Sequence, residues 1–135
     1  MEKSHALKLL AYDYWANCQV FAAINQRSVE IPSEIEVVLS HLLGAKCIWN
    51  KRIIQEVASK DLFDRKSLAT LCELNEQLKE NWESVLEKLP TESLVTYKNL
   101  SGEGFETSVA DIIIHVVNHG SYHRGQIARI LRQSG

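Results

Sequence analysis

Apolar residues recur at spacings of three and four along four segments of the chain, the period expected of helices with one buried face. The face predicted for the first segment comprises Leu7, Ala11, Tyr14, Cys18, Phe21 and Asn25. The second segment carries Ile35, Val38, Leu39, Leu42, Ala45, Trp49 and Ile53, and the third Leu71, Leu74, Leu78, Trp82, Val85 and Leu89. A fourth helix is predicted from Ser108 to about Arg132.

The connection between the first two helices contains a proline and a capping signal. We expect the first helix to end near Arg27, because the residue before Pro32 is disfavoured in the helical conformation. Ser33 and Glu36 have the spacing of a capping box, in which each side chain bonds the backbone of the other residue. The sequence therefore predicts that the second helix begins at this box.

Capping residues also delimit the third and fourth helices. Ser67 or Thr70 is a candidate N-cap for the third helix, and Pro90 is expected to end it, because proline cannot continue a helix. Ser108 and Asp111 carry the same kind of signal for the fourth helix.

The segment Leu94–Glu106 does not follow the helical period. Strand-forming residues at 94–97 and 105–107 flank Gly102 and Gly104, which predicts a short hairpin or an ordered loop. Four helices, with this longer connection between the third and the fourth, predict an all-α four-helix bundle.

Length and composition indicate one folded unit. The chain has 135 residues, of which 45% are apolar, and it contains only 6 Gly and 2 Pro. Chains of roughly 100 to 150 residues enclose a single core, so residues 1–135 are expected to form one domain. The apolar content excludes a disordered chain.

The charge balance and the lack of a long apolar run argue against nucleic acids and membranes as partners. The chain has 15 Lys and Arg against 17 Asp and Glu, a formal net charge of −2. Nucleic-acid binding is not expected, because no excess of positive charge is available to neutralise phosphates. No apolar run approaches the roughly 20 residues of a membrane-spanning helix, so no membrane association is expected either.

Cysteine usage and the first residues predict a cytoplasmic protein. Cys18, Cys47 and Cys72 are widely spaced and odd in number, which fits neither a zinc pattern nor a disulfide framework. We expect them to be reduced and mostly buried. The first residues also lack a signal-like apolar segment.

Three of the five histidines, His115, His119 and His123, lie four residues apart on the predicted fourth helix. At about 100° per residue, each step of four turns the side chain by only about 40°, so the three form one row. His123 lies in the middle of the apolar face, with His119 about 40° and His115 about 80° away. Burying two histidines is costly unless both rings find partners, which favours His119 and His123 as metal ligands.

A metal site needs a further ligand, since catalytic zinc sites usually have three protein ligands and an open position. His41 is the candidate, because the second and fourth helices share a core in a four-helix bundle. A core histidine bonded to a backbone carbonyl or a water is the alternative for His41. The chain lacks an HExxH motif and the paired Glu-x-x-His of dinuclear iron bundles, so the expected site is mononuclear.

Residues around these histidines carry further signals. Gly120 costs the helix about 1 kcal/mol relative to Ala, which indicates a close neighbour or ligand in place of its side chain. Gln126 is either a hydrogen-bonding partner of the site or an ordinary boundary residue. Arg124 points about 100° away from His123 and is expected at the surface or in an interface.

Three stretches of the chain resemble one known family. They are 115–128, which contains the specific pattern NHGSYHRGQ, together with 41–49 and 14–17. These motifs closely resemble the DinB-like superfamily of metal-binding four-helix bundles, which includes bacillithiol-transferase-like proteins, and the likeness extends over the whole chain. Tyr14 and Asn17 are candidate pocket residues, with core packing as the alternative for Tyr14.

The resemblance implies one divalent metal ion bound by a histidine of the second helix and two of the fourth. These correspond to His41, His119 and His123. Three-histidine sites accept zinc, nickel, manganese, iron or cobalt, so the metal itself is left open. Members of the family with assigned activities include bacillithiol S-transferases and mycothiol-dependent isomerases, and dimers are frequent. The resemblance thus implies a low-molecular-weight thiol as a co-substrate, and a homodimer.

Three functional hypotheses follow from these residues. In the first, the protein is a metal-dependent S-transferase or hydrolase that acts on a small molecule through a metal-bound thiolate or water. In the second, the bundle binds metal for stability or sensing and has no catalytic activity. In the third, it is a helical adaptor without metal, and the three histidines are separately satisfied core residues.

Overall fold

The computed structural model describes residues 1–135 and contains four long helices in the predicted order. They are α1 (Lys3–Asn25), α2 (Glu34–Ile53), α3 (Leu68–Lys88) and α4 (Val109–Gln133). A short 3-10 helix, Lys60–Phe63, precedes α3, and an antiparallel hairpin of β1 (Leu94–Lys98) and β2 (Gly104–Ser108) precedes α4. The predicted all-α bundle, with a hairpin before the last helix, is confirmed.

The core lies between the four helices, since α1 and α2 each pack against both α3 and α4. The faces predicted for α2 and α3 are largely confirmed, with these predicted residues buried: Ile35, Leu39, Leu42, Ile53, Leu71, Leu78, Trp82 and Val85. The indole N–H of Trp82 donates to the backbone carbonyl of Lys46, 3.2 Å away, and so joins α3 to α2.

The buried face of α1 differs from the predicted one. Leu7 is 39% exposed and Tyr14 is only half-buried, so the predicted face is wrong except at Phe21, which is buried. The residues that are buried are Ala6, Leu10, Asp13, Ala16, Asn17, Phe21 and Ile24. This face is offset by one residue, about 100° around the helix. The apolar pattern missed it because Asp13 and Asn17 are polar, and only partners on other helices make their burial tolerable.

Two of the predicted caps are present. The side chain of Ser67 accepts a hydrogen bond from the backbone N–H of Thr70 at 3.2 Å, at the start of α3. Ser108 accepts one from the backbone N–H of Asp111 at 3.1 Å, at the start of α4. These caps satisfy backbone donors that have no partner within the helix, so each of the two helix starts carries a cap from its local sequence.

The capping box predicted at Ser33 is wrong. Ser33 has a helical backbone, with φ −61° and ψ −25°, and its side chain makes no capping hydrogen bond. Glu36 accepts hydrogen bonds from the Arg65 guanidinium at 2.7 Å and from the backbone N–H of Leu68 at 3.2 Å. The Glu36 side chain therefore bonds outside its own helix, and it ties the beginning of α2 to the beginning of α3.

The hairpin packs against one end of the bundle, where it contacts α2 through β1 and α4 through β2. The side-chain amide of Gln55 donates to the backbone carbonyl of Thr96 at 3.0 Å. The rings of Tyr97 and Trp49 lie edge to face, with centroids 5.0 Å apart. The hairpin thereby closes the bundle beside the second half of α2.

Two further expectations concern membrane-spanning helices and the cysteines. None of the four helices combines the length and the apolar character that crossing a bilayer requires. Cys18, Cys47 and Cys72 are all free, as predicted, but each is half-buried rather than mostly buried.

Candidate metal centre

Three histidine side chains from two helices meet between α2 and α4. The Nε2 atom of His119 lies 3.2 Å from that of His41 and 3.1 Å from that of His123. Candidate ligand nitrogens of all three rings lie within 4.8 Å of one another. The structure thus brings together the three histidines that the sequence selected, which we call the histidine cluster.

The two helices run antiparallel at this point. The ring of His41 contacts the ring of His123, with centroids 4.7 Å apart. Trp49, eight residues further along α2, contacts His115, eight residues earlier on α4, with centroids 5.2 Å apart. Eight residues correspond to about 12 Å along a helix, so Trp49 and His115 lie about 12 Å from the contact of His41 with His123.

His115 lies outside the histidine cluster, as the helix geometry predicted. It is exposed, and its ring centroid is 6.1 Å from that of His119. Its closest aromatic neighbour is Trp49 rather than another candidate ligand. Of the three histidines in the row on α4, His119 and His123 therefore belong to the histidine cluster, and His115 lies beside it against Trp49.

Gln126 fixes the orientation of His123. The side-chain carbonyl oxygen of Gln126 lies 2.6 Å from Nδ1 of His123. Because a carbonyl oxygen can only accept, the proton of the ring sits on Nδ1, and the lone pair of Nε2 faces the other two histidines. Gln126 is thus a partner of the site, and the alternative of an ordinary boundary glutamine is set aside.

Two rings of the histidine cluster, those of His41 and His119, are neutral near pH 7. Burial, followed by repulsion from the neighbouring histidines, lowers the pKa of His119 to about 4. Burial and the proximity of His123 also lower the pKa of His41. Neutral imidazole is the form that binds metal ions, so both rings are available as ligands at neutral pH.

Two of the three separations between the ligand nitrogens fit a bound ion. Zinc binds histidine nitrogen at about 2.0 to 2.1 Å, so two ligands of a tetrahedral ion are separated by about 3.3 Å. The two separations measured from His119, 3.2 and 3.1 Å, are close to this value. Three imidazole nitrogens suit zinc, nickel, manganese, iron or cobalt, which geometry and supply distinguish.

Phe63 and Gly44 are parts of the site that the sequence did not identify. Phe63, from the 3-10 helix, stacks on the ring of His41 with centroids 4.8 Å apart. A Cβ atom on Gly44 would lie 2.5 Å from the carbonyl oxygen of Leu62, so only glycine lets the 3-10 helix approach α2 this closely. A glycine inside the predicted α2 was the signal that could have indicated this contact.

A network of buried charges joins α1, α2 and α4. Arg124, predicted at the surface or in an interface, is instead buried within the chain and donates to Asp13 at 2.7 Å and to Asn17 at 2.8 Å. Lys46 donates to the other oxygen of Asp13 at 2.8 Å. The prediction for Arg124 was wrong because its side chain faces α1, where the carboxylate of Asp13 compensates the buried charge. A Cβ on Gly120 would lie 2.5 Å from Asp13, which confirms the expected close neighbour.

The candidate pocket residues on α1 make their contacts elsewhere. Asn17 is fully buried and donates from its side chain to Asn75 on α3 at 3.1 Å. Tyr14 donates its hydroxyl to Glu76 on α3, and this hydrogen bond raises the pKa of the phenol. Both residues therefore join α1 to α3, which for Tyr14 corresponds to the packing alternative.

A cavity of about 360 Å³ adjoins the histidine cluster, because His119 forms part of its wall. It is open to solvent, and residues of α2, α4, the 3-10 helix and the turn of the hairpin line it. The residues that line it are Ala45, Ile48, Trp49, Arg52, Phe63, Asn99, Leu100, Ser101, His115 and His119. A small molecule in this cavity would contact the histidine cluster at one end.

Comparison with known proteins identifies the family of the chain. The model of the DinB family matches residues 1–135. A curated relative, "Protein DinB" of Bacillus subtilis (strain 168), is 30% identical over 152 aligned positions, which cover 96% of this chain and 86% of the relative. No solved structure matches the chain. With a whole-chain match and a site of three histidines between its second and fourth helices, the chain belongs to the DinB family.

Proposed function

We propose that His41, His119 and His123 bind one divalent metal ion, and that the protein is a mononuclear metal-dependent enzyme acting on a small molecule. The observation that carries this proposal is the convergence of three Nε2 atoms beside a cavity that His119 lines. Within this class we favour a thiol-dependent S-transferase, with a low-molecular-weight thiol as co-substrate, and a hydrolase as the second possibility.

A divalent ion held by three neutral imidazoles lowers the pKa of a bound thiol or water and so supplies a nucleophile near neutral pH. The protein's own residues orient and enclose the site. Gln126 keeps the proton on Nδ1 of His123 and holds its ring in the ligating orientation. Phe63 covers one face of His41, and Tyr122 packs edge-on against His123 with centroids 5.0 Å apart. These rings limit the access of water from the sides.

Metal content tests the first step of this proposal. We expect the purified protein to contain one divalent ion per chain by elemental analysis, and the His123→Ala variant to contain less than about a tenth of that, since two histidines do not form a stable site. His115→Ala is the matched control on the same helix and should keep its ion. Full occupancy in His123→Ala would overturn the site, and equal loss in both variants would mean a different ligand set.

A non-catalytic role in metal-dependent stability or sensing is the competing function. One observation favours it: no acidic side chain lies within ligand distance of the three rings, so the histidine cluster itself contains no carboxylate general base. X-ray absorption at the metal edge, with and without added thiol, separates the two. The enzyme requires sulfur to enter the coordination shell, or turnover that rises with pH through about 7. If thiols and hydrolysable esters or amides give neither result, the non-catalytic function stands.

We further propose that the chain forms a single domain and acts as a cytoplasmic homodimer. Three free cysteines support the proposed cytoplasmic location, because thiols stay reduced in that compartment. Trp15 on α1 and Tyr122 on α4 are 57% and 65% exposed, and they offer aromatic surface for a second copy. Sedimentation at tens of micromolar should give twice the monomer mass, and a monomer would count against the dimer.

A further inference from the structure

Arg52 carries a positive charge that no other residue compensates. Its guanidinium lies 4.5 Å from the ring centroid of Trp49 and 4.9 Å from that of Tyr97. It takes part in none of the ion pairs of the structure, and its Nε atom is buried without a hydrogen-bond partner. Burial also lowers the pKa of this guanidinium. A desolvated cation without an anion is costly, so the site favours a ligand that supplies one.

The other buried or paired arginines have partners for their guanidinium groups. Arg65 is paired with Glu36, and Arg124 is paired with Asp13. Arg27, the other half-buried arginine, also has a buried Nε without a partner and makes no ion pair, but its Nη2 donates to the hydroxyl of Ser134 at 3.1 Å. Arg52 is thus the half-buried arginine whose guanidinium donates no hydrogen bond within the protein.

Arg52 and the histidine cluster share one cavity. On α2 the cavity is lined by Ala45, Ile48, Trp49 and Arg52, a helical row that continues from His41. Arg52 stands at one end of this row and His119 lines the cavity beside the cluster. The guanidinium lies over Trp49, so about 10 to 12 Å separates it from the cluster along the helix axis.

The chemistry of the wall changes along this length. Trp49, Phe63 and Leu100 make the middle of the cavity apolar, and Asn99 and Ser101 belong to the turn of the hairpin. Arg52 is the only Lys or Arg that lines the cavity. One guanidinium, held against two aromatic rings, matches a single carboxylate in charge and in its two parallel donors.

We propose that this cavity binds an elongated small molecule whose carboxylate pairs with Arg52 while its other end reaches the histidine cluster. The proposal rests on the proposed function, because it treats the cluster as the reacting end. Arg52 is then a specificity-determining residue that selects substrates with a negative charge about 10 to 12 Å from the reacting group. The apolar middle section contacts the chain that connects the two ends.

Matched thiols test this proposal by calorimetry, on the metal-free protein and on the protein loaded with Co²⁺. The probes are ω-mercaptooctanoate and ω-mercaptooctanol, which have the same chain and differ in charge, and the short pair mercaptopropionate and mercaptopropanol. We expect the octanoate to bind about tenfold more tightly than the octanol, equal to about 1.4 kcal/mol. The short pair should show no such preference in the Co²⁺ form, because a thiol anchored at the cluster leaves its carboxylate out of reach of Arg52.

Variants identify the residue responsible. Arg52→Gln should remove the preference for the octanoate and leave the affinity for the octanol unchanged. Arg52→Lys should retain part of the preference, and Arg65→Gln, which removes an arginine outside the cavity, should retain all of it. If Arg52 served only to hold the hairpin through Trp49 and Tyr97, its replacement would weaken both probes equally.

The outcomes separate this inference from the proposed function. Equal affinities of the long probes for the wild-type protein, or a preference that survives in Arg52→Gln, would overturn the carboxylate site. If the preference is present but the Co²⁺ spectrum shows no sulfur ligand, the carboxylate site stands and the thiol chemistry fails. If sulfur binds to Co²⁺ but the octanoate is not preferred over the octanol, the thiol chemistry stands and the carboxylate site fails.

Discussion

Replacing Asp13 with Asn removes the only carboxylate from the buried network that also contains Lys46 and Arg124. The side chains of Asp13, Lys46 and Arg124 are 1%, 3% and 8% exposed. Each oxygen of Asp13 accepts from one cation, at 2.8 Å from Lys46 and 2.7 Å from Arg124. In the Asn variant two buried cations face a neutral amide that can no longer compensate either of them.

The size of the effect follows from this arrangement. Removing one partner of a buried ion pair costs about 3 to 5 kcal/mol, and here one anion serves two cations, so we expect about 4 kcal/mol. Unfolding entropy of about 2.1 cal/mol/K per residue gives about 0.28 kcal/mol/K for 135 residues. The melting temperature should therefore fall by about 15 °C. Such a loss is a large part of the free energy of unfolding of a typical domain, which is roughly 5 to 15 kcal/mol.

Urea unfolding of the metal-free protein, followed by circular dichroism, measures this loss without a contribution from bound ligand. Asp64→Asn is the matched control, because Asp64 is exposed and its side chain makes no hydrogen bond; it should change the free energy of unfolding by less than about 0.5 kcal/mol. Adding Lys46→Met to Asp13→Asn should cost less than the sum of the two single changes, since one uncompensated cation is removed. A loss below about 1 kcal/mol in Asp13→Asn would refute the reasoning.

Three further predictions follow from the same contacts. Gly120→Ala should lower the free energy of unfolding by about 1 to 2 kcal/mol, because its Cβ would meet a buried carboxylate oxygen, whereas Gly125→Ala, which faces open space, should stabilise by up to about 1 kcal/mol. Chemical denaturation compares the two variants, and equal changes in the free energy of unfolding would contradict a close contact at Gly120. Gln126→Ala should weaken metal binding about 10-fold or more, measured by competition with a chelator, because His123 loses its proton acceptor. The metal-free protein should lose stability as the pH falls from about 6.5 to about 4, because only the unfolded chain protonates His119 in that range; a flat profile from which His119→Gln does not differ would count against this.

The sequence by itself determined the helices, their order and the candidate ligands. Apolar periodicity and side-chain caps act between residues three or four positions apart, and such local interactions decide where α3 and α4 begin. The spacing of His119 and His123 places them on one face of any helix that contains them. Local chemistry was therefore sufficient for the metal-ligand hypothesis, with His41 added through the expected packing of α2 on α4.

The tertiary structure alone decided which polar residues are buried and what surrounds the histidine cluster. Asp13 is in the core because Lys46 and Arg124, 33 and 111 residues away in sequence, supply its charge partners. Arg52 keeps an unpaired guanidinium at the cavity because no carboxylate from any other element comes close enough to pair with it. Whether burial of a charge is tolerated depends on where distant partners lie in space, and a pattern of neighbouring residues carries no information about that distance.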